Sequence, residues 1–407
     1  MADSLLHIKD SYYFEVPRAW APSRRESRED FPDYWIRLDP DFQMWEAERM
    51  VAALEQSDAF SEMPPGDSLI ADWQAWGHES SNFAKPFDRF LEEAKSQQWF
   101  QQQLAGEEAT AAQQAWDAIK AEAGSLNEYK STQPAWSAEK IADYNQQLAG
   151  KILIPQPFGT LRNNYQAESG FTISKFMIIE LVVALLLVAV FSLLAKRLTA
   201  SHRPRGKLWN LLEVFLCFIR DQVARPAIGK HDADRFVPLL WTMFLFILGM
   251  NLMGMIPFVG APTSAFGVTL AMAGITFVTG LVFGTVKFGF VGYWTNQVPK
   301  MGLPAVLGIV IVPMIFLLEV LGLFIKHAVL GIRLLANMVA GHLVLLAIMG
   351  LAVAAGTSSV GAWLPTAAIS VIGSTIFSVL ELFVAFLQAY VFTFLSALFI
   401  GSAIHHH

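Results

Sequence analysis

Apolar positions divide the chain near residue 172. Upstream they recur at helical spacing in short stretches; downstream they run on with few interruptions. From Asp41 to Ala59, Phe42, Trp45, Met50, Val51 and Leu54 fall on one stripe, the three-and-four spacing of a helix with one buried face. Stretches at 88–104, 108–122 and 137–149 predict further short helices. Breaks are expected at Met63-Pro64-Pro65-Gly66, at Gly124 and at Pro134. Eight of the twelve Trp lie in this region, which argues for a packed helical module with Trp as core or interface anchors.

The downstream pattern predicts membrane spans. Residues 176–195 are apolar except for Glu180 and Ser192, long enough to cross a hydrocarbon core of about 30 Å at about 1.5 Å per residue. Lys196, Arg197, Arg203, Arg205 and Lys207 follow, marking the cytoplasmic side. Residues 208–235 mix apolar positions with Glu213, Arg220, Asp221, Arg225, Asp232, Asp234 and Arg235, as an interfacial helix and loop would. Further spans are expected at 236–256 and 267–288, then a cytoplasmic loop at 292–304 with Lys300. The stretches 313–355 and 365–404 are each about twice a span in length. With no breaker stronger than Gly after Pro313 and Pro365, they predict two long tilted helices in an antiparallel hairpin, turning at Gly356-Thr357-Ser358-Ser359.

Charge sharpens the division. Residues 1–172 carry 28 Asp/Glu against 15 Lys/Arg, a net of −13; residues 173–407 carry 7 against 14, a net of +7. Seven carboxylates in so long a segment exclude a water-soluble fold for it. The expected fold class is thus an all-α integral membrane protein with five membrane helices at 173–407, preceded by an acidic, soluble, helical extension at 1–172. The N-terminal sequence lacks the basic and apolar regions of a signal peptide. A single cysteine, Cys217, excludes an intrachain disulfide and any Cys-based metal or redox site.

Charges within the apolar stretches are the candidate chemistry. Glu319, Lys326 and Arg333 are spaced by seven, which returns to within about 20° of one direction on a helix; Asn337 extends the stripe. Glu381 and Gln388 are likewise seven apart on the next helix. Glu319 with Lys326 could form a structural ion pair. Arg333 has no acid near it in sequence and cannot become neutral, so it needs a polar path or a mobile counter-charge. His342 lies on the opposite side of its helix and, with Glu381, makes a proton-accepting couple.

The segments GIRLLANMVAGH (331–342), NLMGMIPF (251–258), LLEVLGLFIKHAVLGIRLLANM (317–338) and ELFVAFLQAYVFTFLSALFI (381–400) resemble subunit a of rotary F-type ATP synthases, in the family's order and spacing. The resemblance covers about 173–404. It implies that Arg333 is the arginine facing the carboxylates of the rotating c-ring, with Asn337 its polar neighbour and Gln388 on the facing helix. It further implies that His342 and Glu381 line a proton half-channel and that Glu319 is another channel position. Partners implied are the c-ring, the peripheral-stalk subunit b, the catalytic head and the lipid bilayer, with no nucleic acid. One departure is Gly254, where many members carry an acid; another is the 172-residue extension, which the resemblance does not reach.

The competing reading is a proton-coupled secondary transporter, which calls for inverted repeats and broken helices; no repeat is visible. No phosphate loop, Gly-x-Ser-x-Gly or His-Glu-x-x-His is present. The chain is expected to be non-catalytic by itself, without cofactor or metal, and His405-His406-His407 is expected to be a solvated tail. The expected location is a bacterial inner membrane, N-terminus outside and C-terminus cytoplasmic. A mitochondrial inner membrane is the alternative, since the acid and imidazole are disposed as in mitochondrial-type members.

Overall fold

The computed structural model describes residues 9–60, 63–79, 82, 85–105, 109–200, 206–256, 258–296, 305–356 and 360–405. It divides into two compact bodies: residues 16–172, and residues 173–407 together with the first fifteen. A short strand, β1 (Tyr13–Glu15), belongs to the latter.

Among its described residues the body at 16–172 contains eight short α-helices: α1 (Asp33–Arg37), α2 (Pro40–Glu55), α3 (Gly66–Gly77), α4 (Phe87–Glu93), α5 (Gln98–Ala105), α6 (Ala109–Ala123), α7 (Leu126–Thr132) and α8 (Ala138–Leu148). The strand β2 (Lys151–Leu153) and the antiparallel hairpin β3 (Gly159–Asn163) and β4 (Gln166–Gly170) complete it. Phe42, Met50, Val51 and Leu54 are buried, as the stripe on α2 requires. Trp116 is wholly buried, its ring edge-on to Phe100 at 4.9 Å. A second cluster gathers Phe31, Trp35 and Trp136, with Tyr144 packed edge-on to all three rings.

The expected helix at 88–104 is in fact two. Ala94 is extended (ψ 130°), and the Gln101 side chain donates to the Glu92 carbonyl at 3.0 Å, satisfying an acceptor at the end of α4. Periodicity cannot reveal such a side-chain cap. The structure also holds α1, α7 and the strands, too short for a periodic signal, and α3, which follows the expected break at Gly66 but was not among the predicted helices.

Asp39 ties this body together. Its side chain accepts from the Asp41 backbone at 2.7 Å, capping α2, from Lys140 Nζ at 2.7 Å and from Tyr144 Oη at 3.2 Å. The contacts with Lys140 hold the lysine's pKa up against the desolvation that lowers it.

Among its described residues the second body contains five long apolar helices: α9 (Lys175–Ala200), α12 (Ala233–Gly254), α13 (Phe266–Phe288), α15 (Ala305–Gly356) and α16 (Val360–Ile404). Between the first two lie α10 (Lys207–Phe218), a π-helical turn at 219–224 and α11 (Arg225–Ile228); α14 (Phe290–Asn296) follows α13. Cys217 is half-buried on α10. The π turn carries Asp221, which pairs with Arg225 at 2.8 Å.

α15 and α16 are unbroken. At 52 and 45 residues they are roughly 78 and 68 Å long. Both start earlier than their prolines suggest, so Pro313 and Pro365 lie inside the helices, a position membrane helices tolerate. The two helices run antiparallel: Gly356 meets Trp363, Gly373 meets Ile348 and Gly341 meets Glu381. The turn expected at 357–359, like Arg203, Arg205 and Lys300, lies outside the described residues.

Small residues permit this packing. A Cβ on Gly331 would lie 2.9 Å from the Thr269 carbonyl, and one on Gly249 2.8 Å from Val183. Thr276 and Ser396 share a hydrogen bond at 3.0 Å between α13 and α16. His405 is not simply a solvated tail residue: its ring Nε2 is 2.6 Å from the Ile228 carbonyl. His406 and His407 lie outside the described residues.

Asp39→Ala should destabilise the body at 16–172 by about 2 kcal/mol, because it removes the α2 cap and the buried acceptor of Tyr144, while Lys140 keeps Asp41 as a partner. Asp41→Ala should cost less than about 1 kcal/mol, since the Asp41 side chain is 71% exposed against 0% for Asp39. Thermal unfolding of the full chain, followed by Trp fluorescence, measures both.

Candidate functional site

A cavity of about 150 Å³ lies between α12, α15 and α16, roomy enough for several waters. Asn251, Asn337, Glu381 and Gln388 supply its polar wall; Met255, Leu334 and Met338 are among its apolar neighbours. The sequence of α15 brings Asn337 and Leu334 to it together, three residues apart on one face. The spacing of Glu381 and Gln388 does the same on α16.

His342 and Glu381 meet across the hairpin, Nδ1 to Oε1 at 3.3 Å, with each side chain 8% exposed. An imidazole and a carboxyl at this separation can hold and exchange a proton. Burial makes them interdependent, because losing either removes the other's ionic partner from a low-dielectric setting. Gly341 makes room for the pair: a Cβ there would sit 2.8 Å from Glu381 Oε1.

Arg333 is on the same helix but not on the cavity wall. Its side chain is exposed, as is that of Lys326, and Glu319 is half-exposed, so the seven-residue stripe forms one outward face of α15. No described residue forms an ion pair with Arg333. The expected pair of Glu319 with Lys326 does not form among the described residues. Seven residues advance a helix by roughly 10 Å, so a shared direction does not bring the two charges into contact. Glu319 is also roughly 21 Å along the axis from Arg333 and does not line the cavity.

Two buried polar groups escaped the sequence reading. Asn251 donates through Nδ2 to the Ala385 carbonyl at 3.3 Å and lines the cavity. His327 is buried between Phe277 and Phe399, its Nδ1 2.8 Å from the Leu323 carbonyl. A lone amide within an apolar span was the available signal for Asn251. The exposed Lys326 beside it masked His327.

A family model described as ATP synthase A chain matches residues 177–401, more than half of the chain. The chain belongs to this family. It is similar to ATP synthase subunit a of Anaeromyxobacter dehalogenans (strain 2CP-C), 44% identical over 230 residues, 56% of each chain. With ATP synthase subunit a of Myxococcus xanthus (strain DK1622) it shares 41% identity over 239 residues, 58% of this chain and 75% of that one. ATP synthase subunit a 2 of Chlorobaculum tepidum is 38% identical over 256 residues, 62% of this chain and 69% of that one. The chain thus spans about half the length of its Anaeromyxobacter relatives. The family match contains all of the cavity-lining residues and begins after the body at 16–172.

Gly254 is closely packed in this chain. A Cβ on it would lie 2.7 Å from Met338 Cε and 2.9 Å from Ala261 Cβ. Packing at α12 therefore crowds any side chain at this position.

Gly341→Ala should push Glu381 away from His342 and lower stability by about 1–3 kcal/mol. Gly350→Ala, which meets nothing within 4 Å, should be neutral within about 0.5 kcal/mol. Thermal denaturation of both variants in detergent tests the contrast.

Proposed function

We propose that this chain is the proton-translocating stator subunit of an F-type ATP synthase, presenting Arg333 to the carboxylates of a rotating c-ring. Arg333 carries the reading: a permanent cation on an apolar helix, exposed and without an ion-pair partner among the described residues. Such a charge calls for a counter-charge from another chain. Asn337 and Gln388 extend the polar path beside it, His342 and Glu381 relay protons along one half-channel, and Glu319 belongs to another part of the path.

The physics follows from the bilayer. A protonated ring carboxylate can turn through lipid, whereas an ionised one is penalised. Opposite Arg333 the ionised form is favoured, since an adjacent cation lowers a carboxylate pKa by about 1–3 units. The proton is thus released on one side of the arginine and taken up on the other, and the fixed charge blocks a direct leak. Each proton crossing about 100 mV delivers about 2.3 kcal/mol, which rotation accumulates for ATP synthesis elsewhere in the complex.

Partners in this reading are the c-ring, subunit b and the catalytic head, in a bacterial inner membrane. The basic residues Lys196, Arg197 and Lys207 after the first span favour an acidic N-terminal domain outside, a membrane channel domain from residue 173 onward and a cytoplasmic C-terminus.

Arg333→Ala should abolish ATP-driven acidification of inverted vesicles while the c-ring still co-purifies. Arg333→Lys should fail as well, because an ammonium lacks the planar donor fork. Near-normal acidification by either variant would refute the role.

His342→Ala and Glu381→Ala should each slow proton flux at least about tenfold. The exchange His342→Glu with Glu381→His should recover part of it. An exchanged variant no faster than the slower single mutant would show that the two do not act as a unit.

A further inference from the structure

The body at 16–172 contains a cavity of about 360 Å³ whose wall is charged. Four helices and a hairpin converge on it. Arg37 comes from the end of α1, Glu46 from α2, Asp88 and Arg89 from α4, Lys120 from α6 and Arg162 from β3.

The charges on this wall are not paired off against one another. Arg89 reaches outward to Glu92 at 3.3 Å, and Lys120 to Glu92 and Asp117 at 3.4 Å. Arg37 and Arg162 form no ion pair with any described residue; Arg37 overlies the Phe42 ring at 5.8 Å. Among the wall's side chains, the buried polar atoms without a partner among the described residues are Arg89 Nε and Arg162 Nη2. Both are guanidinium nitrogens, hence donors that cannot accept. A buried unsatisfied charged donor is costly, so the missing chemistry is an acceptor.

The acids on the wall do not supply it. Burial pushes the Glu46 carboxyl up to about 7, against the pull of Arg37, with Asp88 and Glu168 adding to the rise and Arg162 opposing it. Burial also raises Asp88. Glu168 is exposed at the rim. In its protonated form Glu46 is itself a donor. Gly124 keeps the space beside it open: a Cβ there would lie 2.8 Å from Glu46 Oε1 and 3.4 Å from Arg37 Nη1.

We propose that this cavity binds a compact oxyanion, gripped by Arg37, Arg89 and Arg162, with Glu46 as an additional hydrogen-bond donor. Planar guanidinium forks match the paired oxygens of tetrahedral and carboxylate anions. Neither the family model nor the channel residues reach this site, so the inference stands apart from the proton-transport reading.

The test is calorimetric titration of the full chain in lipid nanodiscs with sulfate and, separately, malonate. Saturable binding of either supports the site; binding of only one identifies the tetrahedral or the carboxylate subclass. Arg162→Gln and Arg37→Gln should each weaken binding ~10- to 100-fold, with unchanged Trp-fluorescence melting showing that the fold is retained. Sulfate affinity should fall by up to about tenfold per pH unit above about pH 7, as Glu46 ionises, and Glu46→Gln should remove that dependence. Absence of saturable binding overturns the proposal. So does binding indifferent to both arginine variants, and an unchanged pH profile in Glu46→Gln removes Glu46 from the site.

Discussion

A charge at the centre of a bilayer costs about 2.5–3.5 kcal/mol on insertion scales, and most of the second body can be understood from that penalty. Glu381 is not left facing hydrocarbon; it is folded against His342 inside the hairpin. Asn251 spends an amide hydrogen on the Ala385 carbonyl. Thr276 and Ser396 satisfy one another. Arg333 stands outside this pattern, exposed on a helix whose neighbours along the chain are apolar. A fold that buries or pairs most polar groups and leaves the cations Lys326 and Arg333 outward sets that face of α15 apart from ordinary packing.

The same penalty explains what was legible in the sequence. Twenty apolar residues in a row have few alternatives to a span, so α9, α12 and α13 start or end within a few residues of their expected bounds. The hairpin was legible in its length but not in its starts, because proline is a weaker stop in a membrane helix than in water. The cavity was legible where a charge stood out against an apolar background, as with Glu381, whereas Arg333, equally conspicuous in the sequence, lies off its wall. Periodicity gave Glu319 and Lys326 a shared direction but was silent about axial distance, and the ion pair that the two could have made is not formed among the described residues.

In the body at 16–172 the background is polar, and the same logic fails. There a charged residue is unremarkable in sequence, so nothing distinguished Arg162 from Arg18 or Glu46 from Glu48. Their meeting depends on a hairpin and four helices closing around one space. The aromatic positions were more informative: Trp35, Trp73, Trp116 and Trp136 are all buried. Trp20 is the exception, 75% exposed.

The contact between Gly341 and Glu381 also constrains how the two positions can change over time. The glycine leaves no room for a methyl group while a full-length glutamate lies against it. A shorter acid at 381 would retract the carboxyl and admit a small side chain at 341, but would also lengthen the gap to His342. Changing the acid first therefore avoids the crowding that a side chain at 341 otherwise meets. Sites 341, 342 and 381 thus constrain one another's side-chain size by contact, although some forty residues separate the first two from the third.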